Sequence, residues 1–139
     1  MRILRYAVIL VAMSLASSAS ADSIDPKQSC GTLARAIGEA NSDQVVNALQ
    51  SDTRGAMDKD SAVAVTEQIV PFVKQQGQFV LAESMGQREY GERYRRDWYL
   101  IIFSGSQSLF LVCEYLKPDD AWQLINIKFN SDFDKLPLP

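Results

Sequence analysis

Residues 97–130 read DWYLIIFSGSQSLFLVCEYLKPDDAWQLINIKFN, three apolar runs split by two turn signals. Runs of this length and composition read as strands, and Gly105-Ser106 between two of them reads as a two-residue hairpin turn. Pro118-Asp119-Asp120 marks a second turn, and Trp122 to Phe129 a last strand. In it Ile125, Ile127 and Phe129 alternate with Leu124, Asn126 and Lys128, the mark of a strand buried on one face. The spacing therefore predicts a three-stranded antiparallel meander. A two-residue turn pairs Ser104 with Gln107. Counting outward places Ile102 opposite Leu109, Leu100 opposite Leu111 and Trp98 opposite Cys113. On the other face Ile101 meets Phe110, Tyr99 meets Val112 and Asp97 meets Glu114. Helices are then expected on the face bearing Tyr99, Ile101, Phe103, Phe110, Val112, Ile125, Ile127 and Phe129. Pro137 and Pro139 bar the tail from 132 onward from joining the sheet.

Upstream, the period changes to that of helices. Cys30, Leu33, Ala34 and Ile37 share one helical face. Asn41-Ser42-Asp43 interrupts that helix, and Ser42 can cap a second segment carrying Val45, Val46 and Leu49; one kinked helix has the same periodicity. Residues 51–59 read as a loop. Asp60 is expected to cap a third helix with the stripe Ala62, Val65, Ile69, Phe72 and Val73. Pro71 lies inside this helix, where it removes one backbone bond and bends the last turns, and Gly77 supplies its stop. Phe79 to Met85 reads as a further strand. The segment GQREYGERYRR at 86–96 reads as a hairpin rim turning at Gly91, where arginines interleaved with Glu89, Glu92 and Asp97 form either a solvated edge or an anion-binding lip.

The first 21 residues have another character. Arg2 and Arg5 precede an apolar run from Tyr6 to Leu15, and Ala19-Ser20-Ala21 has the small-x-small form of a cleavage site. This predicts a secretory signal peptide at 1–21 and one α+β domain at 22–139, periplasmic or secreted. The run is too short for a membrane span, which needs about 20 apolar residues, and no later segment is expected to cross a bilayer. The whole chain carries 14 basic and 17 acidic residues. Without Arg2 and Arg5 the balance is 12 against 17, a net charge of −5. Such a domain is not a general nucleic-acid binder, because phosphate contacts need a basic surface.

Histidine is absent from the chain. That excludes a His-based triad, His metal ligands and a His general base. Cys30 and Cys113 fit no metal spacing, and no carboxylates have calcium-loop spacing, so no metal or other cofactor is expected. In an exported protein these two cysteines are candidates for a disulfide. The counted register, however, puts Cys113 on the face opposite the helices, so either the first helix wraps a sheet edge, or the register is wrong, or the bond is absent. For proton chemistry Asp97 and Glu114 stand out, since two carboxylates side by side on an apolar face raise one pKa. The competing reading is that Arg95 and Arg96 neutralise them. Glu83 is a further candidate. Tyr99, Tyr115 and Trp98, with Trp122, are candidate ligand contacts, although aromatic residues serve more often in cores.

The order of elements resembles the nuclear-transport-factor-two-like (cystatin-like) fold, which includes ketosteroid isomerase, scytalone dehydratase and many small secreted bacterial proteins. The residues carrying the likeness are the Val70-Pro71 helix end with Gly77, and the hairpin from Glu114-Tyr115-Leu116-Lys117-Pro118 to Trp122-Gln123-Leu124, closed by Ile127 and Phe129. The resemblance implies an α+β cone, with N-terminal helices packed on a curved antiparallel sheet of about four strands. Enzymes of the family place an Asp or His inside the cone; without histidine an Asp-His pair is excluded here. Function then divides between a non-enzymatic domain that binds a small apolar ligand or a protein partner, and a carboxylate-driven isomerase or lyase using Asp97 or Glu114. Apolar residues on both faces of the sheet require two covers, and a ligand or a second subunit, as in a homodimer, can supply the second.

Overall fold

Asp25 starts the first helix, α1 (Pro26–Gly38), by accepting a hydrogen bond from the Lys27 amide at 3.0 Å, and Pro26 occupies the first helical position. The computed structural model describes residues 23–137; the expected signal peptide lies outside them. Cys30, Leu33, Ala34 and Ile37 are fully buried, as the periodicity predicts. Ala40, at φ 52°, reverses the chain, so the helical segments are two helices and not one with a kink. The cap of α2 (Ser42–Asp52) is Asn41 and not Ser42: the Asn41 side chain accepts from the Gln44 amide. Likewise Asp58, not Asp60, caps α3 (Lys59–Lys74), accepting from the Ser61 amide at 2.7 Å. In both cases the oxygen that reaches a third-position amide belongs to the residue just outside the first turn. Helix α3 continues through Pro71, and Gly77 takes φ +110° beyond its end.

Four antiparallel strands follow in the spatial order β1-β2-β3-β4: β1 (Phe79–Tyr90), β2 (Tyr94–Phe103), β3 (Gln107–Leu116) and β4 (Gln123–Asn130). Strand β1 runs past Met85 to Tyr90 because a bulge between Ser84 and Gly86 absorbs the irregularity without ending the pairing. Its turn falls at Gly91. Three helices on one curved antiparallel sheet make the α+β cone that the sequence led us to expect.

The β2–β3 register differs from the count by one residue. The connection uses Ser104, Gly105 and Ser106, so Phe103 pairs with Gln107, Ile101 with Leu109, Tyr99 with Leu111, Asp97 with Cys113 and Arg96 with Glu114. Because side chains alternate between faces, a one-residue slip moves a strand's whole apolar set across the sheet. The helix face therefore carries Leu109, Leu111, Cys113 and Tyr115 of β3, in place of Phe110 and Val112. In β4, a bulge opposite Glu114 and Tyr115 leaves Ile125 unpaired and 47% exposed, while Leu124, Ile127 and Phe129 face the helices. The corrected register also resolves the cysteine conflict. Cys113 faces α1, and a disulfide joins it to Cys30 with Cα atoms 5.9 Å apart.

Helix α1 lies against β2 and β1 through two glycines seven residues apart. A Cβ on Gly31 would meet the Tyr99 hydroxyl at 2.8 Å, and one on Gly38 the Phe79 ring at 2.4 Å. The opposite face of the sheet is covered by the chain itself. Beyond β4 a short turn of 3-10 helix, η1 (Phe133–Lys135), leads to Leu136, and Phe133 and Leu136 pack on Trp98, Val112 and Phe110. Trp98 Nε1 donates to the Pro137 carbonyl at 2.8 Å. The C-terminal tail thus covers the part of that face that carries Trp98, Val112 and Phe110.

Candidate functional site: an apolar cleft beside a neutralised interior

Alternation along β2 sends Arg95, Asp97, Tyr99 and Ile101 to the helix face and Arg96 and Trp98 to the other. Asp97 is 1% exposed, and Arg95 grips it with a fork: Nε donates to Oδ2 at 2.8 Å and Nη2 to Oδ1 at 2.9 Å. Gln87 Oε1 accepts from the same guanidinium, and Glu89 lies 3.7 Å from its Nη1. Glu114 points to the opposite face. Its Oε1 accepts from Arg96 Nε at 3.0 Å and Lys128 Nζ at 3.2 Å, and its Oε2 from Asn126 Nδ2 at 2.8 Å. Burial pushes the Glu114 carboxyl up, but hydrogen bonds from Asn126, Tyr94 and Lys128 outweigh it and hold the group below the usual range. The two carboxylates are therefore not neighbours. Each sits on its own face in its own ion pair, and the expected repulsive dyad does not form. Glu83, opposite Leu100, is exposed on edge strand β1.

The aromatic candidates are likewise dispersed. Tyr99 and Tyr115 lie under the helices, and Trp98 lies under the tail. Tyr99 donates to the Lys27 carbonyl at 3.0 Å. The Tyr115 hydroxyl donates to Ser29 Oγ at 2.8 Å, and Ser29 donates to Asp52 Oδ2 at 2.6 Å. This relay ends at a groove of about 480 Å³ between α1 and α2. Burial raises the pKa of Asp52, with the Ser29 hydrogen bond opposing it, and burial also raises that of Tyr115. Among the described residues no three His, Cys, Asp or Glu side chains are placed to hold a metal ion, and no helix is long and apolar enough to cross a membrane.

Sequence reasoning missed the cleft between α3 and β4. Leu49 of α2, Met57, Val65 of α3, and Leu124, Ile127 and Phe129 of β4 line about 250 Å³, with Thr53, Gln68 and Asn126 as polar members. It is the most enclosed of the described cavities, and no ionisable side chain lines it. It exists because α3 packs on α2 more than on the sheet, leaving β4's half-buried apolar residues facing a gap. The nearest signal in the sequence is Val65 on the apolar stripe of α3 combined with Ile127 and Phe129 on β4.

No protein-family model and no curated protein matches the chain. Two solved structures are similar. One, from Campylobacter jejuni, is assigned as an NTF2-like transpeptidase; at 12% identity it covers 74% of this chain and 99% of its own, with a TM-score of 0.57. The other, a SEC-C motif containing protein from Rhodopseudomonas palustris, is 18% identical over 78% of this chain and 80% of its own, with a TM-score of 0.43. Three N-terminal helices on a curved four-stranded antiparallel sheet, superposable on the first of these, give this chain an NTF2-like fold.

Proposed function

We propose that this chain is an exported binding domain that takes a small apolar ligand between α3 and β4 and does no chemistry on it. The observation that carries the proposal is the pairing of a half-open apolar cleft, lined by no ionisable side chain, with the capture of Asp97 and Glu114 in ion pairs of their own. Ligand sites are typically apolar concavities with a few placed polar groups, and here Thr53, Gln68 and Asn126 are those groups. A volume of 250 Å³ is small. A dry cavity of about 150 Å³ takes benzene, so the ligand is on the scale of one or two rings or a short branched chain. The isomerase or lyase reading rests on Asp97 or Glu114, and neither lines this cleft; Asp52, whose pKa burial raises, lines the separate groove between α1 and α2. Export is supported by the leader pattern at 1–21 and by the disulfide, which is stable in an oxidising compartment.

Titration of the purified protein with a neutral two-ring fluorescent probe such as 6-propionyl-2-(dimethylamino)naphthalene tests the site. Saturable binding is expected in the wild type. It should disappear in Val65→Phe, which fills the cleft, with unchanged circular dichroism and unfolding temperature. Equal binding by both proteins, or no saturable binding by the wild type, would overturn the assignment. Mass spectrometry of protein taken from a bacterial periplasm should find a chain beginning at Asp22.

A further inference from the structure

On the face of the sheet away from the helices, Arg88 of β1 and Arg96 of β2 are direct cross-strand partners. Like charges placed so are destabilising, and a fold keeps such a pair when something offsets it. Glu114 offsets only part of it. Arg96 shares Oε1 of Glu114 with Lys128, and Oε2 is occupied by Asn126. Among the described residues Arg88 makes no ion pair. Glu89 faces the other way, toward Arg95, and Glu83 lies two rows along the strand, beyond the bulge at Gly86. Two cations thus share one carboxylate and a third, Arg88, pairs with none among the described residues, on a chain whose net charge is negative.

Aromatic rings fix the geometry of the pair. The Arg88 guanidinium lies 5.2 Å from the centroid of the Tyr90 ring and that of Arg96 5.3 Å from the same ring, with Arg96 also 5.5 Å from Tyr94. Arg96 Nε donates to the Tyr94 hydroxyl at 3.1 Å as well as to Glu114, so stacking leaves its terminal Nη groups and the whole in-plane edge of Arg88 as donors, which suit a tetrahedral oxyanion. The tail covers Trp98, Val112 and Phe110 but not this row, and Tyr90 remains 38% exposed.

We propose that Arg88, Arg96 and Tyr90 form a binding site for one phosphate-class dianion carried by a small soluble molecule, separate from the apolar cleft. Arg88 and Arg96 hold the anion between them and Lys128 adds a longer-range attraction. An anionic membrane surface suits this place less well. Membrane docking draws on clusters of four to eight basic residues, whereas this patch is one cross-strand pair with a single lysine beside it.

The test is a titration of purified protein with inorganic phosphate at constant ionic strength, balanced with chloride and followed by amide chemical shifts. Saturable shifts confined to residues around 88–96 are expected. Arg88→Gln should weaken binding at least tenfold, and Tyr90→Leu should weaken it several-fold. Arg35→Gln, on the exposed side of α1, should leave it unchanged. The first two variants replace exposed side chains, so unchanged unfolding temperatures should accompany both losses. Shifts that chloride alone reproduces, or equal affinity in Arg88→Gln, would overturn the site. Binding to phosphatidylglycerol vesicles without binding of free phosphate would overturn the small-ligand assignment.

Discussion

Removing the Asp97 carboxylate should be among the costliest single changes in this protein. Arg95 is 8% exposed and takes two hydrogen bonds to Asp97. Asp97→Ala strands the guanidinium with Gln87 and with Glu89 at 3.7 Å. Breaking a buried pair from one side costs about 3–5 kcal/mol, because the remaining charge keeps its desolvation penalty. Glu89 is exposed and within reach, so about 3 kcal/mol is the value expected. Removing both charges together is different. Arg95→Met with Asp97→Leu has no orphaned ion, and such replacements are often neutral or stabilising, so the double variant should lie within about 1 kcal/mol of wild type. The assay is urea unfolding of the oxidised protein, followed by tryptophan fluorescence from Trp98 and Trp122, with Arg95→Met and Asp97→Leu singly completing the cycle. A cost below about 1 kcal/mol for Asp97→Ala, or a double variant less stable than either single, would refute the account of this interior as a neutralised pair.

Three further outcomes follow from particular contacts. Replacing Cys30 and Cys113 by alanine opens a loop of 83 residues' separation, and the chain-entropy relation gives a loss of up to about 4.5 kcal/mol; chemical denaturation of the variant checks it. Gly38→Ala puts a methyl group 2.4 Å from the Phe79 ring, so overpacking should destabilise by about 1–3 kcal/mol, read as a lower midpoint in the same experiment. Burial raises the Asp52 pKa above 3.8, so the folded state binds its proton more tightly than the unfolded chain does. Stability is therefore lost as pH rises through that window. Asp52→Asn should be more stable than wild type at neutral pH, and the difference should shrink as pH falls below the folded pKa; a constant difference across pH would contradict the shift.

Which features the sequence reveals follows from how far apart in the chain their causes lie. The stripe of α1 is legible because each member is set by a local period and all four face one core. The strands are legible for the same reason. The register between β2 and β3 is not, because SGSQS permits a turn of two or three residues. The choice is made elsewhere: Ser104 is held by the link leading into β1, its amide donating to the Gln78 carbonyl at 2.8 Å and its Oγ accepting from the Gln78 amide at 2.9 Å. Gly105 and Ser106 then both take positive φ to complete the turn. That single displaced residue separates Asp97 from Glu114, brings Cys113 to Cys30 and moves Phe110 and Val112 under the tail. The tail itself, through Phe133 and Leu136, has no period to read, which is why its face seemed to require a partner.

Candidate sites inherit the same division. A dyad inferred across strands stands or falls with register parity, since one slipped residue exchanges every partner. A pair two apart on one strand does not, because both side chains share a face whatever the neighbour does. Arg95 and Asp97 are such a pair, so their ion pair follows from β2 alone, and it was the competing reading of Arg95 that described the interior. Arg88 and Arg96 lie between these cases. Their pairing needs only the tight turn at Gly91, where Tyr90 pairs with Tyr94, and a turn that short leaves little room to slip. The apolar cleft depends on the spacing between α3 and β4, which no single segment encodes. It is accordingly the feature that only the assembled fold discloses, and the one whose occupant must be sought by binding experiments and not by motif.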